Sequence, residues 1–193
     1  MGMPLSVNRE QLIKQMTDYV INVLEEKRPE FSGLAVCPFV KADRLANQLH
    51  LDVFDNQKED LASVIMRFVK SKKRSALIAQ INEEIPSSET YGYQEFINIL
   101  IEEMHVGNLA ALCFNPNDTL EVEGHNPRSK APCFLINIGY RDKLRKAQEV
   151  LLQTKYYDKL PDTYKKYLIG HFLKKHLNVE WKYWSVLVFT EKV

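Results

Sequence analysis

The 193-residue chain has only three cysteines, seven glycines and two tryptophans, and each scarcity narrows what it is. Cysteines at Cys37, Cys113 and Cys133 are odd in number and lack the spacing of small stapled scaffolds, which excludes a disulfide framework and fits a reducing cytoplasm. With so little glycine there is no Gly-rich phosphate loop, and the nucleophile-elbow serine is also missing. Apolar runs such as Val186 to Phe189 fall far short of the roughly 20 residues that span a bilayer, so no membrane partner is expected. Cys113, Cys133, His105 and His125 contain no pair at the short spacing of zinc ligands, and His171 and His176, five apart, do not share one helix face, so no metal is expected either, and no motif names a cofactor.

What is present is enough apolar sequence, 45% of the chain, to bury a sizeable core. The expectation is one globular domain over 1–193, with a core at about 7–152 and an extension at about 153–193. The net charge is only +1, yet Arg141 to Lys182 holds eleven Lys/Arg against five Asp/Glu, which makes the last third basic. Oligomeric state is not legible from such a pattern.

Hydrophobic periodicity orders the elements. Leu12, Ile13, Met16, Tyr19, Val20, Val23 and Leu24 recur at helical spacing between Arg9 and Glu26. Pro38 suits the first position of a second helix running to Asn47, which makes Cys37 its cap. Leu49, Leu51 and Val53 alternate as on a half-buried strand, Asp60 to Lys70 is helical, and Ser75 to Ile81 is a strand. Gly92 to His105 is helical, Gly107-Asn108 stops it, and Leu109 to Phe114 is the next strand. This β-α-β-α-β order predicts an α/β (or α+β) sheet layered with helices. Asn115 to Ala131 is a long polar loop, Pro132 opens a further helix, and Tyr140 to Gln153 is helical. A basic helix over Thr163 to Leu177 and a strand over Trp181 to Phe189 complete the expected extension.

Two places carry chemistry. A cysteine at a helix cap meets unsatisfied backbone N–H groups and the positive end of the helix dipole, which lowers its pKa and favours the thiolate. Cys37 is in that position on the sequence reading, with Lys41 one turn on to reinforce the field; the competing reading is a small buried hydrophobe. The long loop offers Asn115, His125, Asn126, Arg128 and Ser129, and an Arg fork beside a helix start suits a carboxylate or phosphate. Its competing reading is a solvated loop whose Asn and Ser residues close turns.

Gly33-Leu34-Ala35-Val36-Cys37-Pro38-Phe39-Val40-Lys41 resembles the Gly-Leu-x-x-Cys-Pro-Phe-x-Lys signature of an uncharacterised bacterial domain-of-unknown-function family. Phe114-Asn115-Pro116 is similar to that family's Phe-His-Pro, and Asn126-Pro127-Arg128-Ser129 with Pro132 to its Asn-Arg-Ser-Pro-x-Pro segment. Asn115 stands where the family has histidine, Pro127 is an insertion, and Leu135 replaces a further histidine. The resemblance implies only that Cys37, Lys41, Arg128 and Ser129 belong together.

Three classes of function follow. The first is a small-molecule enzyme or ligand-binding domain for an acidic molecule, with Cys37 as nucleophile, Lys41 as its support and Arg128 with Ser129 as the clamp. The second is a noncatalytic small-molecule or protein-binding module with a structural Cys37. Nucleic-acid binding through Tyr156, Tyr157, Tyr164, Tyr167, Trp181 and Trp184 among the lysines ranks last, because the balanced net charge leaves little electrostatic footprint.

Overall fold

The computed structural model describes residues 8–119 and 124–159. Helix α1, Arg9–Tyr19, starts at Asn8, whose side-chain oxygen accepts the N–H groups of Glu10 and Gln11 at 2.9 and 3.4 Å. It runs on into a π-helical turn, Val20–Leu24, closed by the Glu25 N–H on the Val20 carbonyl at 2.9 Å. The wider turn keeps Val23 and Leu24 buried on the same side as Leu12, Met16, Tyr19 and Val20. That stripe is the apolar face expected from the sequence.

The protein has an α/β fold built on a four-stranded mixed sheet. Strand β1, Leu49–Asp55, pairs in parallel with β2, Ser75–Ile81, through the crossover helix α3, Leu61–Ser71. Asp60 caps α3 by accepting the Ser63 N–H at 2.7 Å. Helix α4, Thr90–Glu103, leads to β3, Leu109–Phe114, and β4, Phe134–Tyr140, inserts antiparallel between β2 and β3. The order is β1-β2-β4-β3, followed by helix α5, Arg141–Leu152.

Alternation along the strands separates two cores. Phe54, Ala76, Ile78, Ile136 and Ile138 pack with Val64, Ile65 and Phe68 of α3 and Ile97 and Ile101 of α4. Val53, Leu77, Ala79 and Leu135 pack with the α1 stripe, and Cys37, Phe114 and Cys133 rest against that second layer. Leu144 of α5 lies 3.6 Å from where a Cβ on Gly139 would sit, which puts α5 on the α1 face.

Both sheet edges are closed by side chains rather than left as templates for another strand. At β1, Arg9 Nη1 donates to the Val53 carbonyl at 3.5 Å and Lys73 Nζ to that of Leu49 at 3.4 Å. At β3, the Asn98 amide donates to the Ala111 carbonyl at 3.1 Å and accepts its N–H at 2.9 Å, standing in for a neighbouring peptide. Gln94 Oε1 accepts the Cys113 N–H at 3.0 Å.

Three expectations need correction. Helix α2 is Val40–Leu45 with Phe39 at its N-cap, so Pro38 does not open it and Cys37 is not the cap; Pro38 and Phe39 form a turn before it. Pro132 opens no helix: it leads into β4, whose Phe-Leu-Ile-Asn-Ile run is apolar because the strand is central and covered on both faces. Strand β1 is more deeply covered than a half-buried strand, with Asp52 through Asp55 all buried. The compact unit that contains these elements ends at Lys159, and the expected basic helix and aromatic strand lie outside the described residues. Among the described residues no helix is long and apolar enough to cross a membrane.

Candidate functional site

The C-terminal ends of β1, β2 and β3 and the start of β4 lie at one end of the sheet, as the register Gln80↔Phe134 and Phe114↔Leu135 requires. Open α/β sheets place ligands at that end. From it the 115–131 loop departs and returns, on the side where α1 ends.

Asn115 is a structural anchor. It is buried, its amide nitrogen donates to the Ile85 carbonyl at 2.8 Å and to Thr90 Oγ1 at 2.9 Å, and its side-chain oxygen accepts the Asn117 N–H at 2.9 Å. Asn126 shapes the turn that follows. Its side-chain oxygen accepts the N–H groups of Arg128 and Ser129 at 3.0 and 3.1 Å, and Ser129 Oγ returns to the Asn126 carbonyl at 2.9 Å. These are turn-closing bonds over the 3-10 helix Arg128–Lys130. Arg128 forms an ion pair with Asp118, and its guanidinium carbon lies 5.8 Å from the centre of the Phe114 ring. His125 is buried edge-on to Phe31, with ring centres 6.4 Å apart.

Cys37 sits in the segment between α1 and α2, its own N–H donating to the Leu24 carbonyl at 2.8 Å. Burial pushes its thiol up from the ordinary value; the Val40 and Phe39 N–H groups on the sulfur oppose this, and the Asp43 and Glu25 carboxylates add to it. The lowered pKa expected of a helix-cap cysteine is therefore reversed. Lys41 is exposed on α2, and among the described residues no hydrogen bond or ion pair joins it to Cys37. Burial also pushes Cys113 and Cys133 up to about 12.

Tyr19, which its helical spacing marks only as a core residue, links the two candidate regions. Its hydroxyl donates to the Pro127 carbonyl at 3.1 Å. Burial raises its pKa, the Arg128 charge lowers it and Cys37 raises it, so its phenol lies within the field of both groups. A second bridge comes from Tyr156, which stacks on Phe31 at 5.4 Å and donates to the Val36 carbonyl, next to Cys37. The α1 terminus, the 26–37 segment, the loop and the turn after α5 thus meet at one junction. A separate shallow concavity of about 450 Å³, lined by Asp60, Ala62, Ser63, Met66, Arg67 and Lys70, contains none of these residues.

One further polar cluster was invisible in sequence. Buried Asp52 pairs with Arg9, with Arg67 Nε at 2.9 Å and with His50 Nε2 at 3.6 Å, while accepting its neighbour's N–H at 2.8 Å. Burial opposes its charge, but His50, Arg67 and the Val53 N–H together hold the carboxyl well below the usual carboxylate range. Its partners come from α1 and α3 around the edge of β1, which marks it as a clamp on that edge. Among the described residues no group of His, Cys, Asp and Glu is arranged to hold a metal ion. No family model, curated protein or solved structure matches the chain.

Proposed function

We propose that the chain is a cytoplasmic small-molecule-binding domain whose ligand carries an acidic group, held where the Cys37 segment, Tyr19 and the Asn126–Ser129 turn meet. The observation that supports this reading is the Tyr19 bridge, with Pro127 bonded to its hydroxyl and both Arg128 and Cys37 within its field. Three segments far apart in sequence are brought together at the end of the sheet where ligands bind in this fold class. The resemblance in Gly33–Lys41 and Asn126–Ser129 implies the same grouping. Free thiols at all three cysteines fit a reducing compartment.

Binding is favoured over thiol catalysis because burial keeps Cys37 protonated. A thiol-dependent enzyme is the second reading, and the Phe39 and Val40 N–H groups on the sulfur favour it, since they would stabilise a thiolate once the local environment changed.

The test is a thermal-shift screen of acidic metabolites followed by calorimetry on two variants. Arg128→Ala removes a charge-assisted fork and weakens a bound acid by about 1.5–3 kcal/mol, roughly ten- to a hundredfold. Cys37→Ser leaves affinity nearly intact. Turnover by the wild type that Cys37→Ser abolishes would establish the enzyme reading, and unchanged affinity in Arg128→Ala would remove the loop as the clamp.

A further inference from the structure

Helix α4 is apolar on two sides. Thr90, Ile97 and Ile101 are buried, yet Tyr91, Phe96 and Ile99 on the outward side are each at least 50% exposed. A helix lying on a sheet normally turns a polar face to solvent, and several large apolar groups exposed on one element mark a surface that meets a partner. Tyr91, Glu95, Ile99 and Glu102 follow at three- and four-residue spacing, with Phe96 and Glu103 on the next stripe, so glutamates frame the apolar groups. Glu102 pairs with Arg141 at 3.0 Å, whereas Glu95 and Glu103 have no ion pair among the described residues.

Charge says which partner fits. Ser75 to Pro127 holds nine Asp or Glu and not one Lys or Arg, whereas Arg128 to Lys159 holds eight Lys or Arg against three Asp or Glu. An acidic apolar helix calls for a basic partner, and the chain carries such a surface itself. On α5, Leu144 packs toward the sheet and Leu151 is buried. Lys143, Lys146 and Val150 are exposed at three- and four-residue spacing. Arg145 is engaged by Glu149 on the same helix at 3.7 Å, while Lys143 and Lys146 have no ion pair among the described residues.

The two helices cover opposite faces of the sheet but meet at one edge, β3. Gln94 and Asn98 of α4 cap its backbone, and Arg141, the first residue of α5, donates to the Leu109 carbonyl at 2.6 Å while pairing with Glu102. Ala111 and Cys113 of β3 belong to the α3/α4 core, so Leu112 between them points to the α5 face, where it is exposed. A half-turn about an axis parallel to β3 exchanges the two faces of the sheet. It sets α4 of each copy beside α5 of the other, so that the acidic and basic helices meet twice and the pair is closed. An axis normal to the sheet would instead set glutamates against glutamates.

We propose that the β3 edge docks a second copy of this chain, in a closed two-fold dimer held by α4 of each copy against α5 of the other. Tyr91, Ile99, Leu112 and Val150 form its apolar centre, and Glu95 and Glu103 of one copy face Lys143 and Lys146 of the other. The β3 backbone takes no part, since Gln94, Asn98 and Arg141 already meet its outward groups.

Sedimentation velocity on the full chain in low salt tests this with two charge-reversed variants, Glu95→Lys/Glu103→Lys and Lys143→Glu/Lys146→Glu. The wild type forms dimers and nothing larger, and they weaken as salt is raised. Each variant alone associates at least about tenfold more weakly, because like charges now face each other. An equimolar mixture restores a dimer with one chain of each kind, because the reversed α4 then meets the reversed α5. Circular dichroism melts check folding, and the single changes Glu95→Lys and Lys146→Glu replace a double variant that does not fold. The proposal is overturned if the wild type stays monomeric at every concentration, if it grows past the dimer, if reversal leaves association unchanged, or if the mixture restores nothing. A monomeric wild type that instead binds a synthetic Lys/Leu amphipathic peptide through Glu95 and Glu103 would give the α4 face to a foreign basic helix and overturn self-docking.

Discussion

The two faces of one sheet are built to different ends. On the α3/α4 face, Ile65, Phe68, Ile78, Ile97, Ile136 and Ile138 are sealed, and the large side chains that meet there are almost all apolar. On the α1 face, an apolar layer of similar kind is bordered at the loop end by Tyr19, Cys37, Cys133 and Arg128, with His125 and two tyrosines beyond. The first face has its polar groups, Asp52 with Arg67 and buried Gln80, at its margin, whereas the second has hydroxyl, thiol, guanidinium and imidazole groups positioned together by separate segments. The difference concentrates polar chemistry at the loop end of the α1 face, where recognition is proposed.

The largest expected effect lies on the α3/α4 face. Phe68 has no exposed surface, and Phe68→Ala should cost about 3–5 kcal/mol in urea unfolding. A loss under about 1 kcal/mol, the level of a volume-conserving swap, would mean that this core is not sealed.

Next comes the ionic clamp between α1, β1 and α3. Asp52→Asn removes the charged acceptor of Arg67 and Arg9 and should cost about 1.5–3 kcal/mol at pH 6. Because the folded chain holds this carboxyl below its ordinary value of 3.8, the extra stability of the wild type is complete above the carboxylate range. It shrinks as pH falls below about 4, so wild type and variant should converge in acid. Parallel pH curves for the two proteins would contradict the assignment.

Asn98→Ala should cost about 1–3 kcal/mol by leaving the Ala111 peptide unmet at the β3 edge, and it should promote self-association at high concentration. Sedimentation velocity reads the second effect. The smallest change is chemical rather than energetic: iodoacetamide should label Cys37 slowly at neutral pH in the folded chain, no faster than an ordinary thiol. Labelling well above the rate of the unfolded chain would return Cys37 to the enzyme reading.

Most of the scaffold was legible in the sequence because its signals are local. Ser75–Ile81 and Leu109–Phe114 are the strands their composition predicts, and α1, α3, α4 and α5 fall within a few residues of their periodic stretches. Strand β4 is hard to see in the sequence because Pro132 reads as a helix opener. The Phe134-Leu135-Ile136-Asn137-Ile138 run carried the contrary signal, a short apolar stretch of the kind central strands use. Pro38 misled in the same way, since a proline fixes a turn as readily as a first helical position.

The site was less legible because its links are not local. Tyr19 has the helical spacing of a core residue, and nothing in that spacing tells that its hydroxyl reaches Pro127, 108 positions away. In sequence Asn115, Asn126 and Ser129 read as polar loop residues that could bind an anion. Their hydrogen bonds close turns and anchor the loop, which the turn-forming composition had equally allowed.

The contrast between the faces is tested most directly by amide NMR of the full chain titrated with the acid that stabilises it most in the thermal screen. The amide signals of Val36, Cys37, Phe39 and Val40 and of Asn126 and Arg128–Lys130 should shift together and saturably, while those of Leu61–Ser71 in α3 and Ile97–Ile101 in α4 stay in place. Shifts confined to α3, around the Asp60–Lys70 concavity, or spread evenly over both faces would contradict it.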